Sequence, residues 1–335
     1  MDKFRNLACD ITSHCNNRCV FCFNEWPKPA LMEEKIFKTI VDDLYNYVEG
    51  QILIACLFEP TLHPRFLDFL EYIPENKKEK FFFTSNIAKK FPEGYFQRMA
   101  RCNFHHINIS LETLHQERYS FITKNTQGHF YKNLKKLVEE FSKVKISPEI
   151  HFITMVTRDN KDEILALANY TREECGVLHH EFRTPYFSPG IPKDWLLKHT
   201  LTRPELDELD GKLGLLGYTE RGCVDLRFDT DFYRNILTKK RYSASCPVLP
   251  VWSEDGRAEV IPYFPTADSA VPRISARGHF TVDGLEYAYD LGNIRDYEEF
   301  FSSVWRAIHQ KNAGPETKPK RKLFLEWVKK LLRWR

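Results

Sequence analysis

Three cysteines constrain this chain more than any other feature. They lie in the run Cys15-Asn16-Asn17-Arg18-Cys19-Val20-Phe21-Cys22, a CxxxCxxC spacing with an aromatic residue just before the last thiol. Three thiolates packed this closely can ligate three corners of a cuboidal four-iron, four-sulfur cluster, leaving the fourth iron open. A structural zinc site asks for four ligands, usually as two pairs, and no second CxxC follows. Buried thiols or a zinc knuckle remain the bland alternatives.

Whatever the loop holds, the rest of the chain must present it. Apolar and polar residues alternate in strand and helix patterns over the first 185 positions. Strands are predicted over Leu7–Thr12, Gln51–Leu57, Lys80–Thr84, His106–Leu111, Glu149–Val156 and Leu178–Arg183. Helices are predicted over Leu31–Glu49, Arg65–Tyr72, Tyr95–Arg101, Tyr131–Phe141 and Lys161–Cys175. Six β-then-α units in series argue for a parallel sheet with helices outside. A closed eight-unit barrel usually takes around 250 residues, so the expected fold is α/β, an open partial (β/α)6 TIM-like barrel. Chemistry in such folds sits at the C-terminal ends of the strands, and the cysteine loop follows the first strand.

The run Ser188-Pro189-Gly190-Ile191-Pro192 breaks the pattern, so the barrel core is expected over 1–187. A small α+β extension is expected over 188–311, with a hairpin turning at Asp255-Gly256 and a helix over Arg295–Ile308. A basic linker and an amphipathic helix are expected over 312–335. Between Leu323 and Arg335, Leu323, Phe324, Trp327, Leu331 and Trp334 share one arc and Glu326, Lys329, Lys330 and Arg333 the other. A basic face opposite Trp, Phe and Leu suits contact of 320–335 with a membrane surface, or docking on the domain itself.

Net charge is +3. The basic residues concentrate in the tail, which leaves a mildly acidic body and no reason to expect a nucleic-acid partner. No stretch approaches 18 uninterrupted apolar residues. No apolar leader follows Met1-Asp2-Lys3 and the nine cysteines form no disulfide-like framework. A cytoplasmic setting is therefore expected, peripheral at the inner membrane face if the tail binds lipid.

The cysteine run and the segments downstream resemble the radical S-adenosylmethionine (radical SAM) enzymes. Glu59-Pro60-Thr61-Leu62-His63-Pro64 resembles the family's second-strand GGEP-like segment, with Leu57 and Phe58 where glycines are usual. Phe83-Thr84-Ser85-Asn86 resembles the third-strand "TNG", its glycine replaced by Ile87. Ser110-Leu111-Glu112 resembles the fourth-strand "SLD". The resemblance implies one 4Fe-4S cluster on Cys15, Cys19 and Cys22, and S-adenosylmethionine as cofactor. It implies cofactor contacts from Phe21, Glu59, Ser85, Asn86, Ser110 and Glu112. Glu59 would meet the methionine ammonium, Ser110 its carboxylate, and Glu112 a ribose hydroxyl or the substrate. The family's arginine after this segment is missing, with Arg118 or Lys124 as replacement cations.

The C-terminal region resembles a degenerate SPASM or twitch extension through Ser245-Cys246-Pro247, Asp255-Gly256 and Leu291-Gly292-Asn293-Ile294. Its auxiliary-cluster cysteines are missing, with Tyr263 near one expected position. Cys56, Cys102, Cys175, Cys223 and Cys246 then read as ordinary thiols, Cys56 being a candidate hydrogen donor. The implied reaction is reductive cleavage of S-adenosylmethionine and hydrogen abstraction from carbon. A sugar, glycan or membrane-associated metabolite is the expected substrate, and flavodoxin or ferredoxin the expected type of reductant. A peptide maturase and a non-catalytic cluster-bearing scaffold are the rival readings.

Overall fold

The computed structural model describes residues 6–22, 29–55, 57–185 and 191–238, and beyond these five strands between 248 and 293. The first strands and helices alternate as β1 (Leu7–Cys9), α1 (Glu34–Asp42), β2 (Ile52–Ile54), α2 (Phe66–Tyr72), β3 (Phe81–Ser85), α3 (Tyr95–Ala100) and β4 (His106–Ser110). Two helices follow, α4 (Gln116–Thr123) and α5 (Phe130–Ser142), then β5 (Glu149–Met155), α6 (Ile164–Asn169) and β6 (His180–Arg183). The chain continues through α7 (Lys193–His199), α8 (Arg203–Leu215), β7 (Val224–Asp225) and α9 (Thr230–Thr238).

Strands β1 to β7 stand side by side in chain order, all parallel, each joined to the next by a crossover that includes a helix. The expected open barrel is therefore present, with a seventh strand where six were expected. The two residues of β7 are too short to announce themselves by alternation. The sheet does not stop at β1. Strand β10 (Val271–Ile274) pairs parallel with β1, and β11 (His279–Asp283) and β12 (Tyr289–Asn293) continue it antiparallel. The expected hairpin is β8 (Val248–Trp252) against β9 (Ala258–Pro262), a separate two-stranded sheet. The residues of its turn, the region from 294 onward with its two expected helices, and Cys56, Cys246 and Tyr263 lie outside the described residues.

Alternation within the strands decides which face packs. In β3, Phe81, Phe83 and Ser85 are buried while Phe82 and Thr84 are half-buried. Phe83 meets Phe66 of α2 edge-on, with ring centroids 4.9 Å apart, so the buried set faces the helices. Strands β4, β5 and β6 repeat this: Ile107, Ile109, Phe152 and Phe182 are buried, and Asn108, Ser110, Ile153, Met155 and Arg183 are half-buried on the opposite face. Each fully buried phenylalanine contributes about 1.5–3 kcal/mol from area alone. The barrel is thus closed against its helices and open toward its interior.

Candidate active site at the strand ends

The cysteine loop leaves β1 and is tied to three neighbours. The Ala55 N–H donates to the Cys9 carbonyl at 2.6 Å, and the Leu57 N–H to Asp10 Oδ1 at 3.0 Å. The Glu59 N–H donates to the His14 carbonyl at 3.0 Å. On its far side the loop caps α4. The N–H groups of Arg18 and Val20 donate to the Thr123 and Ile122 carbonyls at 2.8 and 2.9 Å. These carbonyls have no partner within the helix, so the loop satisfies them as a C-terminal cap would. Buried Asn17 stitches the same junction. Its Oδ1 accepts from Asn125 Nδ2 at 2.8 Å and its Nδ2 donates to the Tyr119 hydroxyl at 3.4 Å. Neither α4 nor this network was expected from the sequence; an asparagine between ligand-spaced cysteines was the one available signal.

The three half-buried thiols are in no disulfide, and the Cys22 N–H donates to the Cys19 carbonyl at 2.9 Å, closing the turn that carries half-buried Phe21. Burial, then the neighbouring Glu59 carboxylate, pushes the Cys15 thiol up to about 12. Burial, then Glu112, raises the Cys19 thiol well above its ordinary range, and Cys15 and Cys22 raise it further. Among the described residues no three His, Cys, Asp or Glu side chains could share a single metal ion. A cuboidal cluster asks for something else, one thiolate on each of three irons.

Glu59 is fully engaged. Its Oε1 accepts from the Thr61 N–H at 3.1 Å, the Thr61 hydroxyl at 2.7 Å and the Ser85 hydroxyl at 2.7 Å. Its Oε2 accepts from the Asn86 N–H at 2.6 Å. Burial alone pushes its pKa up, while four donors favour the carboxylate. Three residues read separately as ligands, Glu59, Ser85 and Asn86, are thus bonded to one another, joining the ends of β2 and β3. Ser85 also accepts the Ile87 N–H at 3.0 Å. Lys89 donates to the Thr61 carbonyl beside this knot.

Two non-glycine residues near the site take up backbone that glycine favours. Ala55 has φ +65° and Ile87 φ +41°, the left-handed region that glycine favours and a β-branched side chain resists. The chain therefore turns at Ala55, before the Leu57-Phe58 pair, and keeps the turn after β3 in spite of Ile87.

Ser110 ends β4 on the open face. Glu112 is buried, accepts the Met155 N–H at 2.9 Å, and is pushed by burial up to about 8. Arg118 is committed elsewhere. It donates to both Asp162 oxygens at 2.9 and 3.2 Å and also pairs with Glu163. Lys124 sits over the Phe121 ring, 4.5 Å from its centroid, at the end of α4.

With this geometry in view, residues 10–171 match the profile of the Radical SAM superfamily, from Asp10 on the cysteine loop through α6. Over those residues, just under half of its length, the chain carries the radical SAM match. Among curated relatives it is 29% identical over 174 residues to the tungsten-containing aldehyde ferredoxin oxidoreductase cofactor-modifying protein of Pyrococcus furiosus, covering 49% of this chain and 47% of that one. It is 26% identical over 202 residues to a probable GTP 3',8-cyclase of Methanococcus maripaludis, covering 59% and 62%. The chain thus spans between about half and three-fifths of the length of these relatives. Among solved structures, Streptococcus suis SuiB bound to S-adenosylmethionine superposes with a TM-score of 0.63 at 14% identity, over 96% of this chain and 70% of that one. The anSMEcpe enzyme with bound AdoMet and Cp18Cys peptide gives 0.57 at 16% identity, over 91% and 82%. At such identities the likeness is one of fold.

The cofactors of radical SAM proteins are a 4Fe-4S cluster and S-adenosylmethionine. The residues present fit the cluster. Three thiols outside any disulfide share one tied-down loop, and an ionised Cys22 raises the pKa of both Cys15 and Cys19. Iron bound there would supply the positive charge that three half-buried thiolates require. Asn16, next to Cys15, also has a buried Nδ2 with no partner.

Proposed function

We propose that this chain is a radical SAM enzyme that cleaves S-adenosylmethionine at a single 4Fe-4S cluster held by Cys15, Cys19 and Cys22. The observation that carries the reading is the cysteine loop itself, fixed at the strand ends by β2, Glu59 and the capped end of α4. When bound, the reduced cluster and S-adenosylmethionine supply a 5′-deoxyadenosyl radical able to take hydrogen from an unactivated carbon. The protein's part is to orient and to exclude water. Buried Glu112, close enough to act electrostatically on Cys19 and with burial favouring its protonated form, would offer an O–H donor. Ser110 adds a hydroxyl on the open face, and Asn108 an amide. Phe21 and the backbone around Asn86 complete the expected cofactor contacts.

The half-buried polar lining of the barrel, with Asn108, Ser110 and the Glu181–Arg183 ion pair, suits a polar substrate such as a sugar or glycan. A peptide substrate is the second reading, favoured by the overlap with SuiB, a protein also solved bound to its precursor peptide SuiA. A flavodoxin or ferredoxin is the class of reductant proposed. The contact of 320–335 with a membrane surface rests on sequence. Among the described residues no helix is long and apolar enough to cross a membrane.

The test is anaerobic reconstitution with iron and sulfide, reduction, and quantitation of 5′-deoxyadenosine. Product that vanishes in Cys19→Ala supports the reading. A complete cluster with no product, even with glycans and peptides supplied, favours the scaffold alternative. Cosedimentation of the full chain with anionic vesicles, against a chain ending at residue 319, tests the tail.

A further inference from the structure

Asn86, the first residue after β3, holds its side chain in one orientation through three contacts. Its Oδ1 accepts the Ala88 N–H at 2.9 Å. Its Nδ2 donates to Asn16 Oδ1 at 3.0 Å and to Cys15 Sγ at 3.5 Å. Flipping the amide would set a donor against the Ala88 N–H and an acceptor against Asn16 Oδ1, so these partners fix which end faces the sulfur. The two amide hydrogens match two acceptors. Asn86 is 8% exposed, and its own backbone N–H is held by Glu59 at 2.6 Å. The side chain is therefore a buried, oriented donor between a carboxylate and a ligand-spaced thiol.

We infer that Asn86 is a positioning residue that hydrogen-bonds the cluster-ligating sulfur of Cys15 and raises the reduction potential of the cluster. The inference rests on the reading of the cysteine loop given above. Reduction adds negative charge that spreads onto the ligating sulfurs. A fixed N–H donor stabilises the reduced form more than the oxidised one. Glu59, whose charge also acts on Cys15, works in the opposite direction, and Asn86 stands bonded to both.

The experiment is a redox titration of the reconstituted protein followed by the electron paramagnetic resonance of the reduced cluster, with iron and sulfide counted per chain. Asn86→Ala is expected to lower the ratio of reduced to oxidised cluster about tenfold at a fixed solution potential, about 59 mV for one electron. Asn86→Ser, whose hydroxyl can keep the turn at Ala88 but is too short to reach the sulfur, should behave the same way. An unchanged potential in whichever variant carries a complete cluster overturns the inference. Wild-type protein with amide-¹⁵N asparagine gives an independent reading. A nitrogen coupling to the reduced cluster that disappears in Asn86→Ser supports the contact, and no coupling in the wild type overturns it. A wild type that makes 5′-deoxyadenosine while failing these tests loses only this inference; one that never assembles a cluster loses the functional reading as well.

Discussion

Asn133 of α5 clamps the strained turn at Ile87. Its Nδ2 donates at 2.7 Å to the Ile87 carbonyl and at 2.7 Å to the Lys89 carbonyl. The Ile87 side chain is fully buried, and its backbone sits at φ +41°. Such a residue persists only where its surroundings over-determine it. Asn133→Ala would leave the buried Ile87 carbonyl and the half-buried Lys89 carbonyl without this donor, at a cost of about 1–3 kcal/mol. Urea unfolding measures it, and a midpoint matching the wild type would show that the clamp is idle.

Glu59→Gln should destabilise although it is nearly isosteric. Four donors converge on the carboxylate, and an amide must point its NH₂ at some of them. The expected loss is about 3 kcal/mol, by the penalty for unmade buried bonds. The strand ends would loosen as well, so amide exchange at Asn86 and Ile87 should quicken. Exchange as slow as the wild type's would refute the knot.

On the acid side, stability should fall through His180. This ring is fully buried between the Thr154 and Thr171 hydroxyls, at 2.8 and 3.1 Å, and burial lowers its pKa from 6.5 to about 3. Between those two values the unfolded chain takes a proton that the folded chain refuses. Stability is therefore full above pH 6.5 and declines toward pH 3, by at most about 1.4 kcal/mol per pH unit for this group. His180→Gln should flatten that share of the slope in urea midpoints taken from pH 7 to 4. Curves parallel to the wild type's would rule this out.

Glu112 should act at the other end in the cluster-free protein. Burial raises its folded pKa from 4.5 to about 8, so the folded chain keeps a proton that the unfolded chain loses. Stability is full below pH 4.5 and declines as pH rises toward 8. Glutamine at this position can still accept the Met155 N–H. Glu112→Gln should match the wild type at pH 4 and exceed it by a few kcal/mol at pH 9. Equal stability at pH 9 would refute the raised pKa.

These predictions also mark what could be read in advance. The parallel sheet was legible because β3, β4 and β5 carry buried residues at every second position, a period that needs no knowledge of neighbours. Helix α2 fell within a residue of its expected start because Phe66, Leu67, Phe69 and Leu70 are buried at helical spacing. Helix α4 was not legible, since Tyr119, Ile122 and Thr123 bury only a short stretch of it and its end is completed by the cysteine loop about 100 residues earlier. The candidate site was legible as a set of residues and not as a set of partners. Glu59, Ser85 and Asn86 were each assigned outward, toward a cofactor, while their bonds run to one another across 26 and 27 positions. Local propensity carries no information at that range. Arg118 was a reasonable replacement cation until Asp162 and Glu163 claimed it.

The parallel pairing of β10 with β1 has a consequence for the nascent chain. Ala8 finds Arg273 about 265 residues later, whereas its other neighbour, Leu53, is made early. At about 5–20 residues per second, roughly 11–44 s of synthesis separate Leu53 from Arg273. Through that interval the strand that launches the cysteine loop has one edge unpaired, and that edge is open to mispairing. A cell making this protein must shield a bare sheet edge beside three reduced thiols until the last part of the sheet arrives.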